Sequence, residues 1–203
     1  KVKDGDIIAA EFINDGDAYL AVRYTNPETG RTEYYNPEGK SLRKEFLRTP
    51  VNFTRISSRF TNKRYHPVLK KWRSHKGVDY AAKRGTPIRA AGDGKVTFKG
   101  TKGGYGRVIE IKHGSKYTTV YAHLNSYNKK IRTGRKVKQG QTIGYVGSSG
   151  LATGPHLHYE FRVNGVHRNP RTIHKQLPKA KALPSDELPR FRLADVERRA
   201  RPG

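Results

Sequence analysis

The chain has 203 residues, with 42 Lys plus Arg against 17 Asp plus Glu, a net charge of +25, and neither Cys nor Met. No apolar run reaches the roughly 18 residues that a membrane-spanning helix needs, and zero cysteine excludes disulfides and thiolate-held zinc, so any metal must sit on His and carboxylate. The charge favours polyanionic partners (nucleic acid, anionic envelope polymers, an anionic membrane) without choosing among them.

Apolar residues make up 33% of the chain, which predicts a lean core. No charged stretch followed by an apolar run marks a signal peptide. A start at Lys1 without Met is expected of a mature or trimmed piece of something longer.

Residues 1–50 read as a small β subdomain. Asp17 to Tyr24 alternates as a strand, Asn26-Pro-Glu-Thr-Gly30 turns it, Arg31 to Tyr35 returns, and Asn36-Pro-Glu-Gly39 closes the unit. Ser41 to Leu47 is expected to form one short helix. No catalytic constellation falls here.

Residues 51–170 read as all-β. Candidate strands are Val51–Ser57, Lys95–Lys99, Arg107–Lys112, Tyr117–His123, Thr142–Val146 and His156–Val163, rich in Val, Ile, Thr, Tyr or Phe and mostly bounded by Gly. Many short strands between Gly turns predict a sandwich or barrel. Asn164-Gly165 after the last strand is a two-residue hairpin turn. Residues 171–203 carry nine Lys or Arg against four Asp or Glu and four prolines. They are expected to be a basic, extended tail with a short helix at Leu193–Ala200.

Chemistry concentrates in three places. His156-Leu-His158 lies in a predicted strand, where side chains two apart share a face. Glu160 shares that face if the strand continues, and the preceding Gly147–Pro155 is small and Gly-rich. His75 and Asp79 stand four apart, but Gly77 and Val78 argue against a helix, so the pair is placed on a loop entering a strand. His123 ends a β-like run. Together, His75, Asp79, His123, His156 and His158 supply three metal ligands and two spare acid/base groups. A catalytic zinc needs three protein ligands and one open position for water, whose pKa it lowers to about 7. Spacing leaves the ligand set open: His123, His156 and His158 form one sound set, and His75, Asp79 and a later His form another.

From Phe53-Thr-Arg-Ile-Ser-Ser-Arg-Phe60 through Gly165 the chain resembles the lysostaphin/LytM-type zinc metallopeptidases of bacterial cell walls. The resemblance lies in His75-x-x-x-Asp79, Arg89-Ala-Ala-Gly-Asp-Gly94, Gly103-Gly-Tyr-Gly106, Ala122-His-Leu124 and Gly154-Pro-His-Leu-His158. Within that family it is most similar to Gram-negative murein DD-endopeptidases, which also carry a segment like Tyr34–Leu42 ahead of the catalytic domain.

The resemblance implies an antiparallel β-sheet groove with the metal on its floor. It implies one Zn2+ on His75, Asp79 and His158, with His123 and His156 as flanking catalytic histidines. The implied activity is a zinc-dependent peptidoglycan endopeptidase acting on cross-linked stem peptides. The implied bond is D-Ala to meso-diaminopimelate, although these residues equally admit a glycine bridge. A bacterial periplasm or cell envelope is the expected location, with any membrane anchor confined to upstream chain.

Two other readings belong to different classes. One is a peptidoglycan-binding activator of other hydrolases. The other is a basic nucleic-acid-binding β-module, which explains the charge but not the five site residues. Metal content and turnover of cross-linked muropeptides separate the three. His66, His113, His167 and His174 are expected at turns or on the surface. The groove is expected to be open and lined by Gly100–Gly106 and Gly147–Gly154.

Overall fold

The computed structural model describes residues 5–14, 17–43, 45–66, 70–177 and 182–199. The chain separates into two compact units, Lys1–Glu45 with Pro178–Gly203, and Phe46–Leu177; the sequence suggested divisions after residues 50 and 170.

The first unit holds an antiparallel sheet of β1 (Ala9–Asn14), β2 (Asp17–Thr25) and β3 (Thr32–Tyr35), in that order. The β2–β3 turn is tied by Asn26, whose Oδ1 accepts from the backbone N–H groups of Glu28 and Thr29 at 3.0 and 2.7 Å. Residues 41–43 and 45–47 form no helix. Ser41 instead bridges Tyr35, and the Leu47 N–H reaches the Ala91 carbonyl, so the backbone finds its partners in other elements.

Residues 182–199 are not wholly extended. A helix, α1 (Leu188–Arg199), begins five residues before the expected stretch. Pro189 falls in its first turn, where a missing N–H costs no hydrogen bond. Phe191 is buried and meets Tyr24 and Tyr35 edge-on at 5.5 and 5.8 Å.

The second unit contains β4 (Arg55–Ser58), β5 (Thr61–His66), β6 (Lys71–His75), β7 (Val78–Ala81), β8 (Pro87–Arg89), β9 (Gly94–Thr101), β10 (Arg107–His113), β11 (Tyr117–Ala122), β12 (Leu124–Tyr127), β13 (Lys136–Val137), β14 (Thr142–Val146), β15 (His156–Val163) and β16 (Val166–Arg168). The main antiparallel sheet runs β13-β9-β10-β11-β15-β7-β4, with β16 also on β15. A second sheet is ordered β12-β14-β8, and β5 pairs with β6. The all-β expectation therefore holds. Ile109, Ile111, Tyr121, Leu157, Tyr159 and Phe161 of the main sheet join Ile88, Leu124, Ile143 and Val146 of the second in one core.

Alternation along β15 positions the site. Leu157, Tyr159 and Phe161 face the core, so His156, His158, Glu160 and Arg162 project from the other face. Asn164 and Gly165 adopt positive φ in the turn to β16, as Asn-Gly predicts. The first expected strand is shorter than read: Val51 makes only a bridge to Ile88, and β4 begins at Arg55.

His113 is not a surface residue. It is buried at the end of β10, edge-on to Phe46, where its Nδ1–H donates to the Asp93 carbonyl at 2.7 Å and its Nε2 meets the Thr119 hydroxyl at 2.8 Å. Burial pushes its pKa down, more than the Asp93 hydrogen bond pulls it up. The unfolded chain takes a proton there below about pH 6.5, and the folded chain only at a lower pH. Stability contributed by this group is therefore present above about pH 6.5 and lost as pH falls through it. Melting temperatures between pH 7.5 and 5 are expected to drop more steeply for the parent than for His113→Gln; equal slopes refute this.

Candidate metal centre and active site

Four strands bring the site together. Register pairs Ala122 with His158, His158 with Asp79, and Asp79 with Ser58 across β11, β15, β7 and β4. His75 ends β6, two residues before Gly77. A Cβ on Gly77 would lie 2.6 Å from the Tyr159 carbonyl oxygen and 2.7 Å from His158 Cε1. Only glycine lets the chain pass that close to the His158 ring.

His75, Asp79 and His158 are all buried and converge. His75 Nε2 lies 3.0 Å from Asp79 Oδ1 and 3.1 Å from His158 Nδ1, which is 2.8 Å from the same Oδ1. The partners on the far sides of the rings assign the tautomers. His75 Nδ1–H donates to the Arg59 carbonyl at 2.8 Å, and His158 Nε2–H donates to Glu160 Oε1 at 3.1 Å. With both rings neutral, three lone-pair atoms face one another; a bound cation relieves that arrangement, and without one a proton on a ring nitrogen does so by bonding to Asp79. A tetrahedral ion with bonds of about 2.0–2.2 Å separates its ligands by about 3.3–3.6 Å, so the triangle needs only slight expansion. Burial alone would raise the Asp79 carboxyl; hydrogen bonds with His158 and His75 outweigh it and hold Asp79 well below the usual carboxylate range.

Glu160 stands behind His158 and is 1% exposed. Its Oε1 also accepts from the Tyr105 hydroxyl at 2.6 Å, and its Oε2 accepts from Arg162 Nε at 2.9 Å and His167 Nε2 at 3.1 Å. Burial raises this carboxyl, but the hydrogen bonds of His158 and Tyr105 and the Arg162 charge overcome that and leave it at about 2. A carboxylate that accepts the second N–H of a ligand histidine fixes its ring and raises its basicity. Glu160→Gln should therefore weaken zinc binding by about 10–100-fold in a chelator competition. Unchanged affinity in a folded variant would refute that role. The strand period places Glu160 on the His face without a task, and Tyr105 stands out in the sequence only as part of Gly103-Gly-Tyr-Gly106.

The other two histidines share a pattern. His123 Nδ1–H donates to the Ser149 carbonyl at 2.7 Å and His156 Nδ1–H to the Gly154 carbonyl at 2.8 Å. Both Nε2 lone pairs are thus free for chemistry. The two rings lie 4.7 Å apart, and His156 Nε2 is 3.8 Å from Asp79 Oδ1. Burial lowers His123 to about 4 despite the Ser149 hydrogen bond, so it is neutral at pH 7. His123 also has φ +60°, a left-handed conformation that costs about 1–3 kcal/mol for a non-glycine residue. The hydrogen bond from its N–H to the Tyr105 carbonyl at 2.9 Å helps hold it there.

Comparison with known proteins agrees with this geometry. Residues 73–170 match the profile of peptidase family M23. The catalytic domain of the antimicrobial peptidase lysostaphin from Staphylococcus simulans is 30% identical, with a TM-score of 0.53 over 60% of this chain and 92% of that one. The chain belongs to peptidase family M23. Peptidoglycan DD-endopeptidase ShyC of Vibrio cholerae is 48% identical over 88% of this chain and 40% of its own length. A zinc containing peptidase from Vibrio cholerae is 34% identical, with a TM-score of 0.59 over 82% of this chain and 50% of that one. The chain thus spans about half or less of the length of these longer relatives.

In this M23 domain the three-ligand cluster fits one zinc, by its donor set and by its likeness to that zinc-containing relative. The M23 site opens into a cleft of about 570 Å³. One wall carries Ser57, Ser58, Arg73 and Lys76; another carries Gly104, Tyr105 and Leu151–Thr153, within the two expected Gly-rich loops. His167 lies in β16 and touches Glu160 rather than the ligand cluster. The side chains of His66 and His174 lie outside the described ones.

Proposed function

We propose that this chain is the catalytic portion of a zinc-dependent endopeptidase that hydrolyses peptide cross-links of bacterial peptidoglycan in the cell envelope. We assign His75, Asp79 and His158 as the zinc ligands and His123 and His156 as the catalytic pair. The observation that carries the reading is two imidazoles with backbone-fixed tautomers beside a three-ligand cluster, in a cleft of about 570 Å³.

Zinc held there supplies a Lewis acid that polarises a carbonyl and acidifies water. The chain's own groups do the rest. The free Nε2 atoms of His123 and His156 can take up the proton that water loses and return one to the leaving amine, and a protonated ring can hold the developing oxyanion. Arg73 and Lys76 on the cleft wall complement the free carboxylates of stem peptides. The name of ShyC, a peptidoglycan DD-endopeptidase, supports a D,D cross-link as the target, and we assign the D-Ala to meso-diaminopimelate bond. Among the described residues no helix is long and apolar enough to cross a membrane.

Digestion of purified sacculi with the zinc-loaded chain, read by mass spectrometry, tests this. Cross-linked dimers are expected to fall to monomers split at D-Ala, and a chelator should stop the reaction. No release with zinc bound and the fold intact would overturn the enzyme reading in favour of an activator. Cleavage within glycine bridges alone would overturn the assigned bond.

A further inference from the structure

The sheet face that carries the metal centre also carries an ordered row of cations. Residues in direct register across neighbouring strands share a face. The row through His158 runs Ala122, His158, Asp79. Four residues further along β15, about 13–14 Å away, the row through Arg162 runs Lys136, Lys95, Lys112, Thr118, Arg162, His167. Val108, Val120 and Ala122, packed under Phe98 and Tyr105, fill the space between on the same face.

Lys136, Lys95 and Lys112 are exposed and stand directly opposite one another on β13, β9 and β10. Nearby carboxylates are engaged elsewhere: Glu110 binds Lys102, and Glu160 binds Arg162 and His158. None of the three lysines forms an ion pair among the described residues. Like charges directly opposite in a sheet weaken it, so the row gives the fold nothing by itself.

We propose that this lysine row is a docking ridge for the free carboxylates of peptidoglycan, which holds the polymer across the sheet face while a cross-link reaches the metal centre. The proposal rests on the peptidoglycan reading above. Lys112, Lys95 and Lys136 stand two, three and four strands from β15, about 17–23 Å from His158 at about 4.8 Å per strand, a distance that an extended peptide of about five to seven residues spans. Fixed charges at that range act on a polyanion at low salt and are screened as the Debye length falls below about 10 Å.

The test compares Lys95→Gln/Lys112→Gln/Lys136→Gln with a control of equal charge change elsewhere, Arg48→Gln/Lys83→Gln/Lys175→Gln. Binding to purified sacculi is measured by co-sedimentation at 4 °C in 50 and 300 mM NaCl, alongside zinc content, melting temperature and kcat on soluble cross-linked dimers. The row variant should bind sacculi about tenfold more weakly at 50 mM NaCl and lose most of the salt dependence. It should keep its zinc, its melting temperature and its kcat, and the control should stay within twofold of the parent. Undiminished sacculus binding by the row variant overturns the proposal, as does an equal loss in the control. Loss of duplex DNA binding with sacculus binding intact would give the row to nucleic acid and overturn it too. If even the parent fails to cleave dimers, the endopeptidase reading fails, while the binding comparison still decides the role of the row.

Discussion

Replacing His123 or His156 with Ala is expected to lower turnover of cross-linked muropeptides by about 10²–10⁴-fold, the usual weight of a positioned acid or base, and to leave one zinc per chain. Replacing His158 with Ala should remove the zinc as well. The geometry separates these outcomes. His158 presents Nδ1 within 3.1 Å of both His75 Nε2 and Asp79 Oδ1. His156, two residues earlier on the same face, comes only to 3.8 Å of Asp79, with its other nitrogen held by Gly154. His123 is held by Ser149 and lies beside His156. Metal analysis and single-turnover assays on the same preparations check this. If His156→Ala loses the metal, the division between ligand and catalyst is wrong.

A single methyl group on Gly77 is expected to do nearly as much damage. The added Cβ of Gly77→Ala would meet the Tyr159 carbonyl oxygen at 2.6 Å, and His158 Cε1 and Nε2 at 2.7 and 2.9 Å. The carbonyl belongs to the central strand β15 and cannot easily retreat, so the His158 ring is pushed from its place. That ring is held between Asp79 and Glu160. Overpacking of this kind costs about 1–3 kcal/mol, and a misplacement near 1 Å at a reacting centre costs about 10²-fold in rate. Turnover should therefore fall about 100-fold and zinc affinity should fall measurably. A folded Gly77→Ala with parental zinc affinity and turnover would show that the loop yields instead.

Local patterns along the chain reached far into this protein. Alternation over His156–Val163 placed His156, His158 and Glu160 on one face, because period two needs no distant partner. Gly-bounded runs located β9, β10, β14 and β15 closely, and Asn164-Gly165 gave the turn. Strands without an apolar pattern were not legible. β5 and β6, neighbours in sequence that pair with each other, are rich in Lys and Arg, and β7 is only four residues long. The run from Tyr117 to His123 read as one strand, yet the positive φ of His123 ends β11 at Ala122 and starts β12 beyond it. Pro189 read as a break, but it sits in the first turn of α1, whose Phe191 docks on Tyr24 and Tyr35.

Composition and spacing by themselves determined that any metal must rest on His and carboxylate, and that five residues had the chemistry for it. Only the tertiary structure decided which three converge and which nitrogen each histidine offers. A histidine's free lone pair is set by whatever its other nitrogen meets. Here those partners are Arg59, Ser149 and Gly154 carbonyls and the Glu160 carboxylate. Burial worked the same way for His113: the glycine after it signals a turn, and only the packing of Phe46 against its ring places it in the core. Side-chain period is a property of one strand, whereas tautomer and burial are properties of contacts between segments distant in the chain.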